Sequence, residues 1–214
     1  MGRKQYLDKE DFERGLRALD AELAKYEMIV AFAPITLISS GGFLAVAYLK
    51  NRTTTGDLDY LLAPEWAADE DIKTPLRDAI FKVAKELNFN YEWANEDISL
   101  FVTNTARVSL FEQAERQGIV LFEGEQIRVL AAPIEWAVER KIRRLYAGNR
   151  ERKAEFDMSD CLAMLKCLRD RKNGPLDREY NRTLNINGFD VLPDDKTLDA
   201  IAAAYRDKYE EEIF

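Results

Sequence analysis

The chain has 214 residues, 47% of them apolar, and a formal net charge of −8, so it can form one large domain, or a domain with a helical appendix, around an ordinary core. It contains no histidine, which excludes Ser-His-Asp and Cys-His catalysis, His-ligated zinc and the commonest general base. Any chemistry must run on carboxylates, Lys, Tyr, Ser/Thr or a bound metal, and the acidic balance argues against broad non-specific nucleic-acid binding.

No apolar run reaches the roughly 18 residues a membrane span needs, and the N-terminus lacks the apolar core of a secretory signal. These features predict a cytoplasmic protein with no membrane partner. Cys161 and Cys167 lie on one predicted helix, too far apart for a disulfide and suited to core thiols in a reducing compartment.

In chain order, residues 8–26 place Phe12, Leu16, Leu19, Leu23 and Tyr26 at three- and four-residue spacing, an amphipathic helix with Asp8 or Asp11 as its cap. Residues 28–39 are β-rich and interrupted by Pro34, so a strand approach leads into a buried strand over 35–39. Gly41-Gly42 then turns the chain into a helix over 43–50, a polar loop spans 51–56, and a strand covers 57–62. Pro64 to Asp71 reads as a surface turn, and 75–87 as a helix with Pro75 in its first turn. A helix over 108–117 stops at Gly118. A hairpin follows, 119–122 with 126–130, joined by Glu123-Gly124-Glu125. From Pro133 the chain is helical, with helices over 133–147, 156–171 and 197–211. The expectation is an α+β fold, a mixed β-sheet flanked by helices over 1–132 and a C-terminal helical portion over 133–214.

The chemistry concentrates in 37–62. A glycine pair at a strand-to-helix turn lets backbone N–H groups approach an anion, and the helix start adds partial positive charge. Asp57 and Asp59, two apart on a strand, leave one face, while Leu58, Tyr60 and Leu62 leave the other. Paired carboxylates suit a hard cation such as Mg²⁺, or a cationic substrate.

Gly-Gly after a strand, a short helix and Asp-x-Asp opening the next strand resemble the pattern of the nucleotidyltransferase superfamily, whose fold is the DNA polymerase β palm. Arg52, Thr53, Thr54 and Thr55 ahead of Asp57-Leu58-Asp59 look like the form found in small toxin-type members. The downstream helices, with Lys141, Lys153, Asp157, Asp160 and Leu165, are similar to those that follow the catalytic sheet there. The resemblance implies nucleotidyl transfer from an NTP. Asp57 and Asp59 would hold Mg²⁺, and Glu92, Glu96 and Asp97 are the candidates for a third carboxylate, Asp97 being the one assigned a catalytic role. Ser39, Ser40, Gly41, Gly42, Arg52, Thr55, Tyr60 and Lys141 would stand on the substrate side. For Lys141, a structural pairing with Asp157 or Asp160 is the competing reading.

A second expectation keeps the fold and changes the reaction. General likeness to the arginine-containing cyclodipeptide synthases implies metal-free use of aminoacyl-tRNA, with Asp57 and Asp59 binding the arginine guanidinium. Ser39, Ser40 or Tyr60 would then handle the acyl group, and Arg143, Arg144, Arg150, Arg152 and Lys153 would meet the RNA backbone. A third expectation is a degenerate, non-catalytic binding or antitoxin-like module.

Overall fold

In the computed structural model, which describes residues 2–148, 153–185 and 191–214, the first long helix starts where the sequence supplies its cap. Strand β1 (Leu7–Asp8) runs into α1 (Lys9–Leu23). The Asp8 carboxylate accepts from Asp11 N at 2.9 Å, and the Asp11 carboxylate accepts from Asp8 N at 3.1 Å, so two otherwise orphaned amides are satisfied reciprocally. Phe12, Leu16, Leu19 and Leu23 are buried, as their spacing predicts. Gly15 is fixed by packing: a Cβ there would stand 2.9 Å from the Trp93 ring.

Residues 28–33, predicted as a strand approach, instead enter a short helix, α2 (Glu27–Phe32). The sheet ladder starts at Ile35, and ahead of it a helical turn satisfies the backbone, as in Val30 N donating to Tyr26 O at 3.0 Å. Pro34 stops this helix. Strand β2 (Ile35–Ser40) follows, then α3 (Gly42–Leu44), which widens into a π-helical turn, Ala45–Leu49. Strands β3 (Thr54–Thr55) and β4 (Leu58–Leu62) come next. Helix α4 (Glu70–Glu86) starts earlier than the predicted residue 75, because the Asp69 carboxylate caps it by accepting from Asp71 N at 2.9 Å. The acidic run 69–71 is therefore a helix start and not a surface turn.

Strand β5 (Ala94–Asn95), helix α5 (Asn104–Gln117), β6 (Val120–Glu123) and β7 (Ile127–Ala131) complete a five-stranded mixed sheet in the order β5-β4-β2-β7-β6. Thr103 caps α5, which starts four residues ahead of the predicted residue 108. The central strand β2 is antiparallel to β4 and parallel to β7. Alternation then assigns the two faces. Ile35, Leu37, Leu58, Tyr60, Leu62, Ile127 and Val129 share a core with α1 and α4, while Ser40 and Asp59, paired across β2 and β4, have the opposite parity. Each buried Leu, Ile or Phe on that core face contributes roughly 1.5–3 kcal/mol.

The β6–β7 turn is tied to α1 by one carboxylate. Asp20 accepts from the backbone N–H groups of Glu125, Gln126 and Ile127 at 3.1, 2.8 and 3.0 Å, and Gly124 is needed because a Cβ there would overlap that carboxylate. Asp20→Ala is expected to cost about 2–3 kcal/mol in urea unfolding, the scale for hydrogen bonds to a charged group. Amide exchange at Gln126 and Ile127 should speed up with it, and unchanged stability would show that the clamp is not an anchor.

The chain divides into two compact units, Met1–Ala132 and Pro133–Phe214. The second is built of α6 (Ile134–Tyr146), α7 (Lys153–Lys172), α8 (Arg178–Thr183) and α9 (Asp195–Tyr209). Helix α8, in a stretch whose polarity gave no helical period, is held at its start by Asp177, whose carboxylate accepts from Tyr180 N at 2.8 Å. Among the described residues no helix is long and apolar enough to cross a membrane.

Candidate functional site

Within the first unit, the end of β2 brings the glycine turn and one carboxylate together. Gly41 has φ +77°, a left-handed conformation that glycine adopts without strain, and a Cβ there would sit 3.3 Å from Asp59 Oδ2. The missing side chain therefore leaves the Asp59 carboxylate facing the turn. Gly42 opens α3, and a Cβ there would overlap Thr55, whose own Cβ would lie only 2.6 Å away. Thr55 in turn is fixed by its ladder with β1, in the register Leu7↔Thr55. The first amides of α3 have no intrahelical acceptors and lie at the positive end of the helix, which suits an anion.

Gly42→Ala is expected to destabilise the protein by about 1–3 kcal/mol, the ordinary cost of overpacking, because Thr55 is the obstacle. Gly42→Ala/Thr55→Gly should recover part of that loss in denaturant titration. Equal stability of Gly42→Ala and wild type would mean the turn is looser than the contacts require.

The loop ahead of β4 is anchored at several points. Asn90 Nδ2 donates to Gly56 O at 2.9 Å, and Leu58 N donates to Trp93 O at 2.8 Å. Asp57 lies immediately before β4, not in it as predicted, and it and Asp59 are half-buried. The strand begins one residue late because Leu58 is the first residue laddered to β5. Ser40 shares the Asp59 parity, whereas the Ser39 hydroxyl donates to Asp59 O at 2.7 Å and so serves the backbone. Arg52 is half-buried in the loop.

Two predicted residues of this unit stand elsewhere. Tyr60 is on the opposite face of β4, 3% exposed within the core. Burial, and next the nearby Glu96 carboxylate, push its hydroxyl pKa upward, so it stays protonated. Asp97 opens a 3₁₀ turn, Asp97–Phe101, and its N–H donates to Asn95 Oδ1 at 3.1 Å. On β5 the residue laddered to Asp59 is Asn95, an amide and not a carboxylate. Among the described residues no group of three or more acidic or thiol side chains is arranged to hold a metal ion.

In the second unit, Lys141 is buried, with its ammonium 2.7 Å from Asp157 Oδ1 and 2.8 Å from Asp160 Oδ2. Arg144 Nε stands 2.9 Å from Asp157 Oδ2. Arg143 donates to Leu184 O at 2.7 Å and also to Val191 O. Of the arginines expected to meet RNA, Arg143 and Arg144 are thus turned to internal partners. Arg150, Arg152 and the side chain of Lys153 lie outside the described residues.

Compared with known proteins, the chain matches no family model, no curated protein and no solved structure.

Proposed function

We propose that the chain is a transferase of the nucleotidyltransferase type, moving a nucleotidyl group from an NTP to an acceptor hydroxyl. One observation carries this reading: the Asp59 carboxylate faces a Gly41-Gly42 turn that opens a helix, so an anion-binding end and a cation-binding group meet at one point. The donor set suits Mg²⁺, which is commonly held by one or two carboxylates and completes its shell with water and substrate phosphates. Asp57 and Asp59 would hold it, and when bound it supplies charge neutralisation at the transferring phosphate.

The chain's own groups supply the rest. The amides at the start of α3 bind phosphate oxygens, and the bare Cα atoms of Gly41 and Gly42 let the phosphates approach. Arg52, on the loop between the turn and Asp57, serves as a second phosphate clamp. The test is transfer of label from α-labelled NTPs to total RNA and protein by the full chain. Label in one acceptor class that disappears in Asp59→Asn supports the reading, and no transfer from any of the four NTPs sinks it.

A second reading is favoured by Asn95. With an amide opposite Asp59, the acidic pair also suits a guanidinium, as an arginine-containing cyclodipeptide synthase would require. It predicts product from aminoacyl-tRNA without NTP or metal.

A further inference from the structure

On the face of β4 away from Asp59, a cleft of about 740 Å³ lies between α4 and the 91–100 segment. Tyr60 lines it while being 3% exposed, and its hydroxyl has no hydrogen-bond partner among the described residues. The hydroxyl opens on the cleft, so a tyrosine kept there, where phenylalanine would fill the core equally well, offers a polar contact to a ligand in the cleft.

The charges in the cleft select the sign of that partner. Its cations are already matched: Lys73 stands 3.5 Å from Glu96, and Arg77 stands 2.6 Å from Glu70. Asp78, Glu92 and Asp97 also line it and form no ion pair among the described residues, so the cleft carries surplus negative charge. Its apolar lining includes an aromatic pair. Phe81 and Tyr91 stack with centroids 4.7 Å apart and planes 13° apart, and the Arg3 guanidinium stands 3.8 Å over the Tyr91 ring. The outer face of Tyr91 is thereby taken, and Phe81, 52% exposed, is left to meet a ligand. Surplus carboxylates beside an aromatic face favour an organic cation with an apolar body.

We infer that this cleft is a second ligand site, taking an arylalkylamine whose ammonium is held by Glu92 and Asp97, whose ring packs on Phe81, and whose polar end reaches the Tyr60 hydroxyl. The site contains none of Gly41, Gly42, Asp57 and Asp59, although Asn95, the β5 neighbour of Asp59, lines it, and it does not rest on the function proposed above.

Calorimetric titration of phenethylamine into the full chain tests it. Saturable binding is expected for wild type and, undiminished, for Asp59→Asn, with none for phenylacetate. Glu92→Gln/Asp97→Asn should weaken binding roughly tenfold and Tyr60→Phe several-fold. Tyr60→Phe should unfold at the same denaturant concentration as wild type, since its hydroxyl gives up no protein partner. Absence of saturable amine binding, equal binding of phenylacetate, or affinity untouched by both cleft variants overturns the inference.

Discussion

Lys141→Ala is expected to remove about 3–5 kcal/mol of stability, the cost of breaking a buried ion pair by deleting one partner. The lysine is 5% exposed and its carboxylate partners Asp157 and Asp160 are 2% and 0% exposed, so the remaining charges cannot simply be rehydrated. The neighbouring Cys161 is fully buried as well, and that burial pushes its thiol up to about 12. Lys141→Met, which keeps most of the stem volume, separates charge from cavity and should retain most of the loss. In chemical denaturation, a loss below about 1 kcal/mol for both variants would show that the cluster is solvated and not part of the core. The triad also bears on function, because a substrate recruiting Lys141 would have to displace two carboxylates at 2.7 and 2.8 Å.

The second large effect is chemical. Asp59→Asn keeps the shape of the side chain and removes its charge, and the bond from the Ser39 hydroxyl to the backbone oxygen of Asp59 is retained. Activity should not survive. Losing the group that faces the proposed phosphate site is worth several kcal/mol of transition-state stabilisation, or about 10³-fold in rate. Asp57→Asn tests whether the residue just outside β4 shares that role. Transfer by Asp59→Asn within about tenfold of wild type would remove the carboxylate from the chemistry.

Much of this arrangement is legible in the sequence because it is local. Gly41-Gly42 marks the turn, and the two-residue period of β4 sends Asp59 to one face and Leu58 and Tyr60 to the other. The capping box of α1 is likewise written within four residues, Asp8 to Asp11. What stays hidden depends on neighbours distant in sequence. Helix α2 buries only Ile29, so neither a helical nor a strand period shows, and its β-branched residues point to the wrong element. Pro75 looks like a helix start, although the capping carboxylate is six residues earlier. Strand β5 is two residues long, too short for any pattern, and only its register shows that Asn95 lies beside Asp59. The Tyr60 cleft had no sequence signal beyond the strand parity, because its walls, α4 and the 91–100 segment, meet only in the folded chain.

The central claim, a phosphate-binding turn facing a cation-binding aspartate, is tested most directly by calorimetric titration of ATP, with and without Mg²⁺, into wild type and Asp57→Asn/Asp59→Asn. Nucleotide binding that requires Mg²⁺ and vanishes in the double variant is the predicted result. Free arginine binding without metal, lost in the same variant, while ATP does not bind under either condition, would contradict it and leave the acidic pair as a guanidinium site.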